Sequence, residues 1–348
     1  MNEQLFKQLT QAKQASRHMM TMNTQSKNQA LIKIAQALKE HVLEIINENQ
    51  KDIEHAKASG MSDAMVDRLL LNEDRIVAMA DDVLKLVSLD DPVGDIIREI
   101  KRPNGLLIKQ VRVPIGIFGI IYESRPNVTV DIACLCIKSG NVCVLKGGKE
   151  AIHSNRILTK LMREAIKETL PVDCVQLIDY GGREMVDELI HAYGYVDVVV
   201  PRGGAGLIQH VVQNATVPVI ETGAGNCHLY IDKEADLKKA IDITVNAKIQ
   251  RPSVCNAIET ILVHQDIADT YLPLLYEAFH ERVDIRGDSE VQKIIPCQLA
   301  TLTDYATEYD DYIVAVKIVD SLQEAIEHIY QYSTKHSEAI ITENQDTA

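Results

Sequence analysis

The sequence contains no tryptophan and only three phenylalanines among its 348 residues. Its core must therefore be built from aliphatic side chains, and a hydrophobic fraction of 46% is sufficient for a large one. No apolar run approaches the roughly 18 residues of a membrane-spanning helix. The N-terminal stretch also lacks a signal-peptide-like apolar segment and cleavage site. We therefore expect a globular protein of the cytoplasm with no membrane partner.

The chain has fewer basic than acidic residues. The chain has 36 lysines and arginines against 50 aspartates and glutamates, for a formal net charge of −14. Nucleic acids and anionic membranes bind basic surfaces, so this balance disfavours both as partners. An anionic small-molecule substrate is not disfavoured, because it needs only a local basic pocket.

The seven cysteines form neither a disulfide framework nor a metal-binding pattern. Their number is odd, their spacings are irregular and most lie in apolar strings, which is typical of free thiols in a reducing compartment. Cys134 and Cys136 form a C-x-C pair, but no second pair or histidine set accompanies them. We therefore predict no metal site.

The N-terminal part of the chain, up to about residue 90, has the periodicity of amphipathic helices. One apolar stripe consists of Leu31, Ile34, Ala35, Leu38, Val42 and Ile45. Residues 96–113 then contain two β-prone runs around Asn104-Gly105, a pair typical of a hairpin turn. A long hairpin that stands off a domain often serves a subunit interface, so we expect a β-hairpin oligomerisation arm here.

From residue 115 short apolar runs alternate with amphipathic segments such as 155–169. The runs lack apolar–polar alternation, which indicates strands buried on both faces of a parallel sheet. The expected strands are 115–121, 141–145, 174–178, 196–200 and 217–220, then 228–231, 259–263, 313–318 and 339–342. The pattern predicts a doubly wound α/β domain within residues 1–228 and a second α/β domain over 229–348.

Cys255 has the setting of a nucleophile. It lies between a turn that contains Pro252 and the predicted strand that starts at Glu259. Such a turn exposes the sulfur, the strand fixes it, and neighbouring backbone N–H groups can face a developing oxyanion. From the residues alone a second interpretation stays open, in which Cys255 is a buried small hydrophobe like the other six cysteines.

Three further segments accompany this cysteine. They are 142–150 (VCVLKGGKE), 198–206 (VVVPRGGAG) and 219–226 (VIETGAGN). A strand-end lysine, a glycine turn and a Glu-x-Gly element upstream of the cysteine resemble the aldehyde dehydrogenase superfamily. More narrowly, residues 122–131 (YESRPNVTVD), 250–257 (QRPSVCNA) and 325–340 (AIEHIYQYSTKHSEAI) resemble the γ-glutamyl phosphate reductases. The resemblance covers essentially the whole chain.

The resemblance implies an aldehyde-dehydrogenase-like fold with a cofactor-binding and a catalytic domain, and Cys255 as the nucleophile. Lys146, at the end of its strand, would hydrogen-bond the adenosine ribose. Gly203 and Gly204 would let the cofactor approach the backbone, although glycines also serve plain turns. NAD-preferring relatives often carry an acid where this chain has Lys149, so the resemblance implies NADPH. The alternative for Lys149 is a solvated lysine in a loop.

Two glutamates have open roles. In hydrolytic relatives a glutamate at the position of Glu221 activates water, but reduction of a thioester needs no such water. Glu221 is therefore either a general base or a residue that shapes the turn near the nicotinamide. The resemblance implies that Glu308 holds the nicotinamide ribose, and the alternative is a plain surface carboxylate.

Arg125, Asn127 and Arg251 flank the two motifs that are expected to meet at the active site. A doubly anionic phosphate and the end groups of a glutamyl substrate need such donors. Arg251 is the first candidate, because it is close to the nucleophile in sequence. The alternative is that these side chains stabilise the fold. His336 is expected to be structural or distal and is assigned no chemistry.

The chain departs from the family in two respects. General aldehyde dehydrogenases use an asparagine as oxyanion donor where this chain has Ser124, so the oxyanion is expected to rest mainly on the backbone N–H of Cys255. The family also continues through a glycine-rich segment and a last strand beyond the position of Ala348. We therefore expect that the C-terminal part of the catalytic domain is missing.

The activity that the resemblance implies is NADPH-dependent reduction of L-glutamate 5-phosphate to L-glutamate 5-semialdehyde through a cysteine thioester, a step of proline biosynthesis. It also implies a homo-oligomer and functional coupling to glutamate 5-kinase, which makes the substrate. Two alternatives stay open. One is a related reductase of acyl thioesters or aldehydes, and the other is a catalytically silent NADP-binding or assembly subunit of the same fold.

Overall fold

The computed structural model describes residues 1–221 and 225–348. They pack into two compact units, Met1–Thr222 and Gly223–Ala348. The domain boundary expected near residue 228 stays a prediction, since it concerns how the chain divides into folding domains. Among the described residues, none of the helices combines the length and the apolar character that a membrane span requires.

The first unit opens with five helices: α1 Glu3–Met19, α2 Thr24–Glu40, α3 Val42–Ala58, α4 Asp63–Leu69 and α5 Glu73–Ser88. Four of them begin after a side chain that accepts a first-turn backbone N–H, which is the preferred capping chemistry. These caps are Asn2, Asn23, Ser62 and Asn72. The apolar stripe predicted over residues 31–45 is divided between α2 and α3, because the helix is interrupted at His41.

A hairpin follows, formed by β1 Ile96–Lys101 and β2 Leu107–Val111, which pair antiparallel. Gly105 in its turn has φ +87°, in the region that favours glycine. Both strands are largely exposed, and apolar side chains such as Ile97 and Ile108 are 54% and 45% exposed. A two-stranded hairpin alone leaves apolar surface and strand edges uncovered. Its expected role as an oligomerisation arm stays a prediction.

The sheet of the first unit is parallel and four-stranded, in the order β5-β4-β3-β6. Its strands are β3 Ile117–Tyr122, β4 Val142–Gly147, β5 Val175–Leu177 and β6 Val198–Arg202. They are almost wholly buried, as the unalternating apolar runs predict. The strand order reverses between β3 and β6, so the carboxyl ends of these two strands border the crevice in which such sheets bind ligands.

The strand predicted at 217–220 is wrong. Only Val219 makes a bridge, to Val199 of β6. The carbonyl of Pro218 accepts from Val199 N at 2.8 Å, and Ile220 N donates to Val199 O at 2.9 Å. Pro218 has no N–H to extend the ladder, which explains why pairing stops there.

Helices α6 Asn127–Lys138, α7 Ile152–Ile166, α8 Arg183–Ile190 and α9 Ala205–Asn214 connect and flank these strands. Cys134, Cys143 and Cys174 are buried in the aliphatic core that the helices and the sheet enclose. They serve as small hydrophobes, as the sequence predicts.

The second unit is built on a parallel six-stranded sheet in the order β10-β9-β11-β8-β7-β12. Its strands are β7 Cys227–Ile231, β8 Ile258–His264, β9 Asp284–Gly287, β10 Gln298–Leu299, β11 Ile313–Val319 and β12 Glu338–Ile341. Its helices are α10 Leu237–Ile249, α11 Gln265–Phe279, α12 Val291–Ile294, α13 Leu302–Tyr305 and α14 Leu322–Tyr332. The short strands β9 and β10 were not predicted.

All seven cysteines are unpaired, and five of them are buried. Cys255 is half-buried, in agreement with an accessible sulfur. Cys297 was expected to be buried like the remaining five, and that prediction is wrong, because it is also half-buried. It lies in the irregular segment between α12 and the short edge strand β10.

Candidate active site

In the first unit, the carboxyl ends of β3 and β6 carry the glycine turn and the segment 122–131. Glu123 N donates to Arg202 O at 3.1 Å, and the Glu123 carboxylate accepts from Gly204 N at 2.9 Å. A Cβ on Gly203 would lie 2.5 Å from that carboxylate oxygen and 2.9 Å from Leu207 Cδ2, so a larger residue requires these two side chains to move. The turn thus already holds an anionic group on its backbone N–H, and a cofactor phosphate at that point must displace Glu123.

Ser124 is buried and has φ +44°, an unusual conformation for a residue other than glycine. Its backbone N–H and its hydroxyl both donate to Glu150 Oε1, at 2.7 and 3.0 Å. The hydroxyl is therefore engaged by Glu150, and the expectation that the oxyanion rests mainly on the Cys255 N–H stays a prediction. Glu150 was not singled out from the sequence, because nothing in the spacing links it to Ser124.

Lys146 and Lys149 differ in setting although they are close in sequence. Lys146 is buried near the end of β4, and its Nζ donates to the carbonyls of Tyr180 and Gly181 at 3.1 and 3.4 Å. Burial lowers the pKa of Lys146. Lys149 is exposed at the start of the short 3₁₀ turn Lys149–Ala151. A lysine at a strand end and a glycine turn at the end of a neighbouring strand together fit a dinucleotide cofactor.

Arg125 and Asn127 lie in the turn that leads from β3 into α6. Arg125 is half-buried, and Asn127 is exposed as the first residue of α6. Asn127 Nδ2 donates to Asp131 Oδ2 at 2.9 Å. Burial raises the pKa of Asp131 to about 6. Asp131 is part of the segment that carries the resemblance, but no motif or spacing assigned it a role.

In the second unit, residues 250–257 form the nucleophile turn, which links α10 to β8. Pro252 and Ser253 are buried, while Cys255 is half-buried. Ala257 N donates to Val254 O at 2.9 Å and closes the turn. Within the described ranges, the backbone N–H groups of Cys255 and Asn256 donate no hydrogen bond. They are available to stabilise an oxyanion on a group bound at the sulfur.

A buried ion pair joins the two ends of the nucleophile turn. Lys248, in the last turn of α10, and Glu259, on β8, approach to 2.7 Å and are both almost completely buried. Burial lowers the pKa of Lys248 and raises that of Glu259 to about 7, and the close contact opposes both shifts. Glu259 also accepts from Asp310 N at 3.3 Å. This pair was missed from the sequence, where the only signal is a glutamate in an otherwise apolar strand.

Cys227 lies against the same turn. Its Sγ donates to Cys255 O at 3.3 Å and lies 3.7 Å from His336 Nδ1. A Cβ on Gly225 would overlap Cys255 O and lie 2.7 Å from Cys255 Cα. His336, expected to be structural or distal, is thus one residue removed from the nucleophile turn. This contact fits the structural alternative, and the absence of a chemical role for His336 stays a prediction.

The segment 332–338 supports residues 226–228 at several points. Asn226 N donates to Thr334 Oγ1 at 3.1 Å, and Asn226 Nδ2 donates to the carbonyls of Tyr305 and Tyr332, each at 2.8 Å. His228 N donates to Glu338 Oε2 at 2.8 Å. The C-terminal motif, which had no assigned function, therefore braces the strand start that touches the nucleophile turn.

The remaining candidate residues are placed as follows. Glu308 is half-buried in the loop between α13 and β11. Burial raises the pKa of Cys227, and the charge of Glu308 adds a smaller contribution in the same direction. Arg251 is exposed next to Pro252. Glu221 is exposed, and Thr222, Gly223 and Ala224, the centre of the predicted Glu-x-Gly element, lie outside the described residues. The expected meeting of the two motifs and the role of each candidate stay predictions.

The profile of the "Aldehyde dehydrogenase family" matches residues 2–293. A gamma-glutamyl phosphate reductase of Petrotoga mobilis is 53% identical over 350 residues, with 100% of this chain and 84% of the relative covered. One from Moorella thermoacetica is 53% identical, with 97% and 81% covered.

Solved structures of the same fold show the same relationship. The gamma-glutamyl phosphate reductase of Thermotoga maritima is 46% identical, with a TM-score of 0.89 over 99% of this chain and 84% of that one. An acetylating aldehyde dehydrogenase from Geobacillus thermoglucosidasius is 18% identical, with a TM-score of 0.75 over 99% and 82%, and shares the fold. The predicted aldehyde-dehydrogenase-like α/β fold is confirmed.

Proposed function

This chain belongs to the aldehyde dehydrogenase family, within its gamma-glutamyl phosphate reductase branch, and we propose that it reduces L-glutamate 5-phosphate to L-glutamate 5-semialdehyde with NADPH. The observation that carries the proposal is the setting of Cys255. The residue is half-buried on a tight turn with two backbone N–H groups that donate to nothing in the described ranges. A thiol in that position is suited to acyl transfer.

The proposed reaction uses the activation already present in an acyl phosphate. The Cys255 thiolate attacks the carbonyl carbon, phosphate leaves and a thioester forms. When bound, NADPH supplies the hydride that reduces the thioester carbon. The resulting thiohemiacetal on Cys255 breaks its C–S bond, which releases the aldehyde and regenerates the thiolate.

The charge that develops on the carbonyl oxygen needs donors held in advance. The Cys255 N–H is the first candidate, because it belongs to the nucleophile itself and has no acceptor in the described chain. Ser124 is not a candidate while both of its donors are bound to Glu150. The reduction requires no activated water, so Glu221 is proposed to shape the cofactor turn and not to act as a base.

For the cofactor, Lys146 is proposed to bind the adenosine ribose and Lys149 the 2′-phosphate, which gives the preference for NADPH. Gly203 and Gly204 would allow the backbone to approach it, and Glu308 would hold the nicotinamide ribose. For the substrate, Arg251, Arg125 and Asn127 are the proposed donors to the phosphate and to the groups of the glutamyl end.

The proposed place of this activity is proline biosynthesis in the cytoplasm, with functional coupling to the glutamate 5-kinase that supplies the labile substrate. The exposed apolar hairpin supports a homo-oligomer in which a second copy of the chain covers it.

An NADPH-oxidation assay with enzymatically generated γ-glutamyl phosphate tests the proposal. We expect oxidation that depends on the kinase, ATP and glutamate together. Comparable oxidation with acyl thioesters or free aldehydes would favour the related reductase. No oxidation by a folded protein that binds NADPH would favour the catalytically silent subunit.

A further inference from the structure

The thiol of Cys227 has no part in the proposed reaction, yet it lies against the backbone of the nucleophile. Its Sγ donates to the carbonyl oxygen of Cys255 at 3.3 Å. We propose that Cys227 is a positioning residue, whose thiol holds the Cys255–Asn256 peptide in the orientation required for acyl transfer. This inference rests on the proposed role of Cys255 as the nucleophile.

The backbone around Cys227 is fitted to the nucleophile turn. Cys227 N donates to Gly225 O at 2.9 Å, which keeps the segment compact. Gly225 lies so close to Cys255 that a side chain there would overlap the Cys255 carbonyl. The contact between Cys227 Sγ and Cys255 O is therefore part of a close approach of two chain segments.

The hydrogen bond to Cys255 O also orients the N–H of the same peptide group, which belongs to Asn256. In a trans peptide the C=O and the N–H point in opposite directions. A donor on Cys255 O therefore directs the Asn256 N–H away from Cys227. That N–H donates to no acceptor in the described ranges, so Cys227 supplies the constraint that a second hydrogen bond would otherwise give. The constrained carbonyl group is bonded directly to the Cα that carries the nucleophilic sulfur.

The Cys227 thiol is expected to stay protonated, so it can donate a hydrogen bond but is a poor nucleophile. Burial, assisted by nearby acidic groups that include Glu338, raises the pKa of the Cys227 thiol to about 12. At neutral pH the S–H is kept, and the thiolate that would be needed for nucleophilic attack is scarce.

Cys227 is also held from its other side. His336 Nδ1 lies 3.7 Å from Cys227 Sγ, and Thr334 accepts from the neighbouring Asn226 N. The thiol is thus placed between segment 332–338 and the nucleophile turn. Because the donor is fixed by contacts on both sides, it restrains the orientation of the Cys255 carbonyl to which it is hydrogen-bonded.

Burst kinetics with p-nitrophenyl acetate test the inference, because acylation of Cys255 by this ester requires neither NADPH nor the natural substrate. Cys227→Ala removes the donor, whereas Cys227→Ser keeps a hydroxyl donor in similar volume. We expect the burst rate of Cys227→Ala to fall about ten- to a hundredfold, as for a slightly misplaced nucleophile. Cys227→Ser should stay within about threefold of the wild type, since it retains the donor. Cys297→Ser, a half-buried cysteine of the same unit, is the matched control and should be unchanged.

A wild-type burst rate in Cys227→Ala would overturn the proposal. Equal losses in the alanine and serine variants would also overturn it, because they would indicate packing and not hydrogen bonding. A burst that survives in Cys255→Ser would remove its premise. If the proposed substrate alone is wrong, the burst series stays as expected while the NADPH assay with γ-glutamyl phosphate fails.

Discussion

Gly225 packs directly on the backbone of Cys255: a Cβ at residue 225 would overlap the Cys255 carbonyl oxygen and lie 2.7 Å from Cys255 Cα. Backbone atoms cannot rotate away as the end of a flexible side chain can. Gly225→Ala should therefore displace the nucleophile turn. We expect the free energy of unfolding to fall by about 1–3 kcal/mol and kcat for NADPH oxidation to fall about a hundredfold.

The matched control is Gly206→Ala on the exposed first turn of α9, where nothing lies within 4 Å of an added Cβ. Its stability should be unchanged or slightly higher, because alanine is the better helix former. Thermal unfolding and steady-state kinetics measure both effects. Wild-type kcat in Gly225→Ala would show that the turn is not constrained at this point.

The buried pair Lys248–Glu259 should be costly to break. Lys248→Met leaves the Glu259 carboxylate without its partner in the interior, and such changes destabilise by about 3–5 kcal/mol. Urea denaturation should show this loss. The double variant Lys248→Met/Glu259→Gln should recover much of it, since no unpaired charge is left. If Lys248→Met is as stable as the wild type, the ion pair does not stabilise the nucleophile turn.

The same pair predicts a pH dependence. The pKa of Glu259 is raised in the folded state to about 7 from its ordinary 4.5, so the folded protein binds this proton more tightly than the unfolded chain. The contribution to stability is therefore present at low pH and is lost as the pH rises from about 4.5 to about 7. Measured against Glu259→Gln, the wild type should lose relative stability across this window. A difference between the two proteins that does not change with pH would contradict the shift.

The exposed Lys149 should set the cofactor preference. A charge-assisted contact to a 2′-phosphate contributes roughly 1.5–3 kcal/mol, so Lys149→Glu should lower kcat/KM for NADPH about tenfold or more and erode or reverse the preference over NADH. Lys167→Glu is the control: it makes the same charge change at the far end of α7, about 22 Å along the helix. Equal kcat/KM for NADPH and NADH in the wild type would show that Lys149 does not set a cofactor preference.

The hairpin β1–β2 should be covered by a second copy of the chain. Ile108 is 45% exposed on it, and Ile108→Glu would place a charge in the expected interface. Light scattering coupled to size exclusion should show an oligomer for the wild type and a smaller species for the variant. Lys101→Glu, a charge change on the same hairpin that removes no apolar side chain, should weaken assembly less. A monomeric wild type would contradict the role of the hairpin.

The fold was largely predictable because parallel strands buried on both faces have unalternating apolar sequences. Strands β3, β4, β8 and β11 follow that rule. The rule failed at 217–220, where Pro218 ends the pairing. It also missed β9, in which Asp284 and Arg286 interrupt the apolar pattern and are tolerated because the strand lies near the sheet edge.

The sequence predicts a site residue only where a reactive side chain stands in a recognisable local turn, as Cys255 does. Its supports are contacts between residues that are distant in sequence. Glu150 reaches Ser124, and His336 reaches Cys227 across 109 positions. No periodicity or spacing encodes such pairs, since they depend on how the loops of a parallel sheet converge in space.

The rate of NADPH oxidation by Cys255→Ser with γ-glutamyl phosphate tests the central claim most directly. A neutral hydroxyl is a far poorer nucleophile than a thiolate, so the rate should fall at least about a thousandfold. The variant should keep the wild-type fold, because the half-buried side chain loses little packing. A folded Cys255→Ser protein that oxidises NADPH at a near-wild-type rate would show that catalysis does not proceed through a thioester on Cys255.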